Sequence, residues 1–446
     1  MSETAELKKT LTLSQVVFLG LAWNTPMIYF SVFGVAFEGS NGFLTSAYFL
    51  AVIAVLFTGA SYAVMAKKIP ISGSAYTFAK KAIHPNVGFL VGWVLLLNYL
   101  FAPIIAAITF GTFMNAEFPA VPSFAWIIGL IILLAVIAIV GVNSSANISS
   151  FFVTLQIIFI IGFTGFLAYA LFTGGGAASV VSPEPFLDVD LSMSVALAGA
   201  SIVVFSFLGF DTMTTLSEET KNATKTIPKA IFIMIATVGV LHVTMSYFIE
   251  LSYPGFTIQN HDSAALELMG LVGGSMLRAI FMTVLIAAIF TQGLASITSV
   301  SRLMYVMGRD AALPKKVFGY VHPKYRTPVL NIFLASVISL VAIFITVDDA
   351  IRFVNFGALS AFFFVNLCVI SLYLKNQEKR TIPYTLVNLI FPLIGAGFIV
   401  WLIALLDVST LIGGSIWVAG GLVYLAYLTK VFQKPLPDYN AERKVA

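Results

Sequence analysis

The chain carries an acidic residue, Asp211, in a stretch whose first part is apolar enough to cross a membrane. This stretch spans residues 201–228, and Gly209 and several threonines lie close to the acid. Backbone outside a helix is tolerated at membrane depth only where it is buried in protein or lines a cavity, because unpaired N–H and C=O groups are costly there. We therefore predict that this helix breaks at a binding site. A structural Asp, paired near the cytosolic end of the helix, is the alternative.

A second interruption lies in residues 20–30, which read GLAWNTPMIYF. Pro26 removes a backbone donor and clashes with the preceding turn, so the carbonyl groups of Ala22 and Asn24 should be left partly free. A break exposes the positive end of one half-helix and the carbonyl end of the other, and these ends can hold a small ion or a zwitterion. A proline-kinked helix that is packed only for shape is the alternative.

Several other side chains have both a functional and a structural interpretation. Phe205, Phe207 and Phe210 could form apolar or cation–π walls, but aromatics at this spacing more often serve packing. His242 could relay protons near neutral pH, although a lone histidine in a membrane is more often simply hydrogen-bonded. Glu219 is expected just inside the cytosolic boundary, where a structural ion pair or a helix cap explains it without a role in transport.

The composition indicates a polytopic membrane protein. Of the 446 residues, 59% are hydrophobic and 10% are charged, against about 25% charged in soluble domains. The single cysteine, Cys368, excludes an internal disulfide and a cysteine-based metal site. The amino-terminal residues lack the pattern of a signal peptide, so we expect the first apolar segment to stay in the mature protein. The net charge of +4 is no argument for a nucleic-acid partner, because topology explains where the basic residues lie.

Twelve apolar stretches are long enough to cross a bilayer, which takes about 20 residues. With both termini in the cytoplasm, every Lys and Arg except Arg278 and Arg352 falls on the cytosolic side, as the positive-inside rule requires. We number the predicted spans 1 to 12 in chain order: residues 14–36, 44–66, 86–114, 123–142, 151–173, 193–216, 229–251, 273–300, 328–346, 350–373, 384–405 and 411–430.

The loops between the spans are short, so residues 1–446 are predicted to form a single transporter domain. The two interruptions fall in spans 1 and 6, and an odd offset of five spans reverses membrane orientation. We therefore predict two inverted repeats, over residues 14–173 and 193–373, with extra helices over 384–430. Residues 67–85 suit a cytosolic re-entrant or interfacial helix, or a plain loop. Residues 254–273 suggest a short helix that starts near Asp262 and Ser263.

The sequence contains none of the usual catalytic motifs, such as a phosphate loop, an HExxH pair or a nucleophile elbow. We therefore expect no enzyme activity, no cofactor and no metal site. The energy for transport would come from an ion gradient or from the substrate's own gradient.

Several long motifs occur in an order that resembles the amino acid–polyamine–organocation (APC) superfamily, and most closely its putrescine-importer-like permeases. They include LSQVVFLGLAWNTPM at 13–27, GSAYTFAKKAIHPNVGFLVGW at 73–93 and FSFLGFDTMTTLSEET at 205–220. The resemblance covers nearly the whole chain. It implies an all-α, LeuT-type fold of five plus five inverted spans with two extra helices, and alternating access. The substrate would lie between the unwound parts of spans 1 and 6, with help from spans 3, 8 and 10.

The match to this superfamily is uneven in detail. Its amino acid carriers hold a substrate carboxylate with backbone N–H groups in span 1, but this chain has Pro26 there, which favours an amine. Against a dication, putrescine carriers of the group have a carboxylate about where this chain has Ser31, so a dication would lack that partner here. Proton-coupled relatives often have a lysine where this chain has Gln156, which leaves the coupling ion open. Phe205 lies where relatives place a gating aromatic.

From these observations we predict a secondary active importer of a polyamine such as putrescine, or of an amino acid. It would be driven by a proton gradient in the cytoplasmic (inner) membrane of a prokaryote. The alternatives are an amine or amino acid exchanger, a non-transporting amine sensor and a channel. The substrate ammonium would lie against free carbonyl groups near residues 22–25 and 205–210.

The candidate residues fall into two groups. The candidates for ion coupling are Asp211, Gln156 and Glu219. The candidates for substrate binding are Ala22, Trp23, Asn24, Thr25, Asn98, Tyr99, Phe205, Phe207, Gly209, Phe210, Asp211 and Gln292.

Overall fold

The computed structural model describes residues 9–140, 146–173, 182–187, 192–375 and 381–429. Their regular structure is helical, apart from one parallel bridge that joins Leu11 to Thr220. Ten of the described helices are long and apolar enough to cross a membrane, and the bent helix pair of span 1 makes an eleventh. The chain is therefore an all-α, multi-pass membrane protein.

The long helices follow the predicted spans closely. Residues 141–142 of span 4 and residue 430 of span 12 lie outside the described residues. In chain order the helices of spans 2–5, 7, 8 and 10–12 are Leu44–Lys68, Pro85–Glu117, Ser123–Val140, Ala146–Phe172, Ala223–Ser252, Ala264–Arg309, Val347–Lys375, Phe391–Ala404 and Val408–Leu428. Span 11 is preceded by the short helix Ile382–Thr385 and a π-helical turn at Leu386–Ile390.

Two spans depart from the simple pattern. The helix of span 8 has non-helical backbone at Gly273 and Gly274, so it is two helices joined at a kink. Span 9 consists of the helix Val329–Ser339 and a 3₁₀ turn at Leu340–Ile343, and it is shorter than the others. The count of twelve spans therefore stays a prediction.

Spans 1 and 6 are both interrupted, as predicted. Span 1 is helical over Leu13–Asn24, then over Ile28–Ser31, and then over Phe33–Gly39 after a bend of 62°. Span 6 is α-helical only over Met193–Val203 and continues as 3₁₀ turns. These turns cover Val204–Phe207 and Thr212–Glu219, with non-helical backbone between them.

The interrupted spans lie in the middle of the bundle. Span 1 packs against spans 5, 7 and 8, and span 6 packs against span 2. Span 3, which contacts both breaks through the side chain of Tyr99, is mostly buried inside the protein, whereas span 12 is mostly exposed. Spans 4, 5, 11 and 12 present large apolar side chains on their outer faces, as expected of surfaces that face lipid.

The two predicted loop helices are also present. Ser74–Ala82 forms a helix in the connection over residues 67–85. Its Lys80 makes a buried ion pair of 3.1 Å with Asp310, at the end of span 8. In the connection over residues 254–273, a 3₁₀ turn at His261–Ser263 starts the helix of span 8.

Candidate functional site

The two interruptions meet directly. The side-chain amide of Asn24, the last residue of the first helix in span 1, donates to the carbonyl oxygens of Ser206 at 2.7 Å and Leu208 at 2.8 Å. All three residues are buried. These carbonyl groups were expected to face an ammonium, but in this structure they are bonded to Asn24. The amide therefore ties the break in span 6 to the break in span 1.

Gly209 allows this close approach. Its φ of +116° lies in a region that L side chains rarely adopt. A Cβ atom on Gly209 would lie 3.1 Å from the carbonyl oxygen of Gly20 and 3.2 Å from the Cβ of Asn24. The residue is thus required both by its own backbone conformation and by the backbone of span 1.

Gln156, from span 5, lies against the break in span 1. Its Oε1 accepts hydrogen bonds from the Thr25 hydroxyl at 2.8 Å and from the Met27 N–H at 3.3 Å. Thr25 has a φ of +53°, and the Met27 N–H has left the helical hydrogen-bond ladder. In a continuous helix this N–H would donate to the carbonyl oxygen of Trp23. Here the glutamine oxygen takes the place of that acceptor.

Asp211 is fully buried beside both breaks. Its Oδ1 accepts from the N–H of Gly209 at 3.1 Å, and its Oδ2 accepts from the hydroxyl of Tyr99 at 3.2 Å. No basic side chain among the described residues pairs with this carboxylate. The Tyr99 ring packs on the Trp23 ring with 5.9 Å between centroids. Spans 1, 3 and 6 thus bring an acid and two aromatic rings together.

Four side chains near this point hold buried polar atoms without a hydrogen-bond partner among the described residues. Buried polar groups are usually bonded, so these atoms are available to a polar ligand. They are Nε1 of Trp23, Oδ1 of Asn24, both side-chain polar atoms of Asn98, and Nε2 of Gln156.

Other predicted residues lie further out. The Phe207 ring packs against Tyr48 and His242, and the Phe210 ring packs against spans 2 and 10. Gln292 is buried in span 8, one turn beyond Ala288, whose carbonyl oxygen lies 3.5 Å from the Thr25 hydroxyl.

Phe205 and Glu219 lie in the two 3₁₀ turns of span 6, on opposite sides of its non-helical backbone. Phe205 is buried next to the break, and its carbonyl group accepts from the Leu208 N–H. Glu219 lies away from the break, with its side chain 3.9 Å from Arg302. The structure therefore brings Asp211 and Gln156, but not Glu219, to the meeting point of spans 1 and 6.

Sequence reasoning missed Asn355 of span 10. Its side-chain amide donates to the carbonyl oxygens of Ser201 at 2.9 Å and Ile202 at 3.2 Å, where the α-helix of span 6 ends. Two residues later, a Cβ on Gly357 would lie 2.7 Å from the backbone nitrogen of Asn98. An Asn two residues before a Gly in an apolar span is the signal that could have pointed to this contact.

The described part of the chain holds no group of three or more His, Cys, Asp or Glu side chains placed to share a metal ion. What the site offers is a single carboxylate, backbone carbonyl groups, amides and aromatic rings. This set of groups suits an organic cation or a zwitterion.

Comparison with known proteins assigns the chain to a family. Residues 11–429 match the family model described as amino acid permease, so the chain belongs to the amino acid permease family. The resemblance to APC superfamily permeases is confirmed, and the family is one of permeases, not of enzymes.

Individual relatives agree with this assignment. The chain is 40% identical over 440 residues to the low-affinity putrescine importer PlaP of Escherichia coli K12. The aligned residues cover 98% of this chain and 97% of that protein. The chain is also 29% identical over 453 residues to the methylthioribose transporter of Bacillus subtilis, which covers 96% and 95%. The resemblance to putrescine-importer-like permeases is thereby confirmed.

A solved structure shows the same fold. The crystal structure of a manganese transporter mutant from Eremococcus coleocola matches with a TM-score of 0.61 over 96% of this chain and 98% of that chain. The sequence identity is 10%, so this match supports the fold alone.

Proposed function

We propose that the chain is a secondary active transporter that imports a small organic amine, with a polyamine such as putrescine as the first candidate. The buried carboxylate of Asp211 carries this proposal, because no basic side chain among the described residues pairs with it. A buried charge is costly unless a counter-ion pairs with it. The ammonium group of an amine is such a counter-ion.

The break in span 1 favours an amine over a carboxylate. In a continuous helix the carbonyl group of Ala22 would accept from the N–H of residue 26, which is a proline here. The carbonyl group of Trp23 would accept from Met27, whose N–H donates to Gln156 instead. Two carbonyl groups are thus freed for an ammonium, while the N–H groups that could hold a carboxylate are missing or occupied.

The aromatic rings support the same substrate class. Trp23 and Tyr99 pack together, and the Tyr99 hydroxyl reaches Asp211. A cation over such ring faces gains about 0.5–2 kcal/mol, depending on how far it is desolvated. The putrescine importer from Escherichia coli, 40% identical to this chain, agrees with an amine substrate.

An amino acid is the second candidate substrate. Nε1 of Trp23 and Nδ2 of Asn98 are buried donors without a partner among the described residues, and together they could bind a carboxylate. The amide of Asn98 neighbours Tyr99, the residue that contacts Asp211. An amino acid would then be held at both its amino and its carboxyl group.

The architecture suggests how the substrate would cross. We include Val329–Ile343 as the ninth of twelve spans, with two inverted repeats of five spans and two extra helices. Both termini would be cytoplasmic in the inner membrane of a prokaryote, as the Lys and Arg distribution indicates. The paired breaks in spans 1 and 6 support alternating access around a site at the midplane, and a proton gradient would drive it.

Uptake into proteoliposomes tests the proposed function. Purified protein would be reconstituted, and uptake of labelled putrescine would be measured with and without an inward proton gradient. Unlabelled diamines, monoamines and amino acids would serve as competitors. We expect saturable putrescine uptake that the gradient stimulates and that diamines inhibit more strongly than amino acids do.

Other outcomes separate the alternatives. Stronger inhibition by amino acids would favour the second candidate substrate. Uptake that requires preloaded amine would indicate an exchanger. Binding without uptake or exchange would indicate a sensor, and non-saturable flux would indicate a channel. A folded protein that neither binds nor moves any of these compounds would contradict the proposal.

A further inference from the structure

His242 of span 7 lies in a closed aromatic pocket next to the break in span 1. The rings of Tyr29 and Tyr48 stack with 5.2 Å between centroids, and the imidazole lies 5.4 Å from the first and 5.3 Å from the second. The Phe207 ring lies 6.2 Å away, on the side of span 6. His242 itself is fully buried. The pocket therefore joins spans 1, 2, 6 and 7 around one titratable ring.

The hydrogen bonds of His242 define which of its nitrogens is free. Nε2 lies 3.0 Å from the carbonyl oxygen of Pro26, and a carbonyl oxygen can only accept. Nε2 must therefore carry the proton, which leaves a lone pair on Nδ1. Nδ1 is buried and has no partner among the described residues. The ring is thus a neutral base that is bonded to the very residue that interrupts span 1.

Polar side chains continue from His242 to the far end of span 7. Ser246 and Glu250 follow at four-residue steps, so they lie on one face of the helix, about 6 Å apart along its axis. The hydroxyls of Ser246 and Tyr29 are 3.1 Å apart. Glu250 Oε1 accepts from the Thr45 N–H and the Thr45 hydroxyl. Glu250 is partly buried near Ser252, where the helix ends.

We propose that Glu250 and His242 carry the proton that couples transport to the proton gradient. A proton from the outer solution would bind a carboxylate oxygen of Glu250 and pass by the hydroxyls of Ser246 and Tyr29 to Nδ1 of His242. The ring would become an imidazolium and would lose one proton again when the opposite side of the protein opens. No other bond changes. This inference rests on the proposed function and names its coupling residues. They are Glu250 and the possible proton relay His242, in place of the coupling candidates Asp211, Gln156 and Glu219.

The surroundings of the ring suit a transient charge. Within the described residues, the phenols of Tyr29 and Tyr48 are the titratable groups that face His242, and no charged side chain contacts the ring. Thr45 of span 2 faces the carboxylate of Glu250. Aromatic faces stabilise a cation, whereas a closed apolar pocket disfavours one. Loading therefore requires opening to the outer solution, and closure favours release.

The hydrogen bond to Pro26 links the charge on His242 to the proposed substrate site. Protonation of Nδ1 strengthens Nε2–H as a donor, because hydrogen bonds from charged donors are stronger than those from neutral ones. Pro26 lies two residues after Asn24, whose amide holds the break in span 6. The charge on His242 would thus bias the same pair of breaks that binds the amine.

The test separates proton movement from amine movement. Proteoliposomes loaded with a pH-sensitive dye would report substrate-induced proton influx, and exchange of labelled for unlabelled putrescine would report binding and alternating access. The variants are His242→Gln, which can still donate to Pro26, and Glu250→Gln, which can still accept from Thr45. His261→Gln is the matched control, since that histidine is exposed. Elution profile and melting temperature in detergent would verify folding.

We expect His242→Gln and Glu250→Gln each to lower substrate-induced proton influx at least tenfold while exchange stays within about twofold of the wild type. His261→Gln should leave both activities unchanged. If both variants keep the proton-to-amine ratio of the wild type, this inference is wrong and the proposed function stands. Amine uptake without proton influx in the wild type also overturns it. If the wild type moves no amine, the proposed function fails and takes the inference with it.

If His242→Gln also abolishes exchange, the ring is needed to hold the break. Proton influx in Glu250→Gln then tests the proposed proton path. Tyr29→Phe gives a third readout, because it keeps the ring of the pocket and removes only the hydroxyl next to Ser246. We expect it to slow proton influx severalfold while exchange continues. Normal proton influx in both Glu250→Gln and Tyr29→Phe would overturn the proposed path.

Discussion

The side-chain amide of Asn24 donates to the carbonyl oxygen of Leu208 over 2.8 Å, although the two residues are 184 positions apart in the chain. This bond, with its companion to Ser206, makes the breaks in spans 1 and 6 one structural unit. A movement of either span would have to carry the other along or break the pair of bonds. A substrate that binds at one break, as we propose, would therefore affect the other break as well.

Replacing Asn24 tests this link. Asn24→Ala would leave the buried carbonyl groups of Ser206 and Leu208 without their donor, at a cost of about 1–3 kcal/mol for each unsatisfied group. We expect the melting temperature in detergent to fall by several degrees and putrescine uptake to fall with it. Asn115→Ala is the control, because the Asn115 side chain donates one hydrogen bond among the described residues, to the carbonyl oxygen of Val121 at the protein surface. Equal melting temperatures for the two variants would show that the breaks are not joined in this way.

Gly209 provides a second test, because both its φ and its surroundings exclude a side chain. In Gly209→Ala the new Cβ would lie 3.1 Å from the carbonyl oxygen of Gly20, a backbone atom that would have to shift by a few tenths of an ångström. Strained backbone of this kind costs on the order of 1–3 kcal/mol, so we expect uptake to drop strongly. Gly255→Ala is the matched control, with a φ of +78° and open space around it. If both variants transport equally, close contact at Gly209 is unimportant.

At Gln156, a variant that loses the hydrogen-bond acceptor can be compared with a variant that keeps it. Gln156→Leu removes the acceptor of the Met27 N–H and the Thr25 hydroxyl, at about 1–3 kcal/mol for each buried donor left unpaired. Gln156→Glu keeps an acceptor oxygen at the same position, and the new carboxyl group can remain protonated and neutral. We expect the Glu variant to retain more uptake and a higher melting temperature than the Leu variant. The reverse order would mean that the glutamine oxygen does not hold the break.

The positions of both interruptions could be predicted from the sequence, because each contains a residue whose covalent structure favours or permits one. Pro26 has no N–H to continue a helix, and Gly209 adopts a φ of +116°. The helix Ser74–Ala82 could also be predicted, because an amphipathic segment lies there between two apolar spans. The short length of span 9 could not be predicted, because its apolar run extends beyond the helical residues Val329–Ile343.

The partners at the site could not be predicted. Asn24 with Ser206, and Gln156 with Met27, are separated by well over a hundred residues. Such contacts depend on how helices rotate and pack, which a local pattern does not specify. For the same reason the three phenylalanines of span 6 could not be assigned from spacing alone, and Phe207 and Phe210 point towards different neighbours. The polar line from His242 to Glu250 is visible as a four-residue repeat, but its link to Pro26 is not.

The central claim is that Asp211 binds the amine, and equilibrium binding of labelled putrescine to purified protein tests it most directly. A charged hydrogen bond contributes about 1.5–3 kcal/mol, so Asp211→Asn should weaken binding by roughly tenfold to a hundredfold. The exposed Asp349→Asn should bind as the wild type does. Wild-type affinity in a folded Asp211→Asn variant would contradict the account.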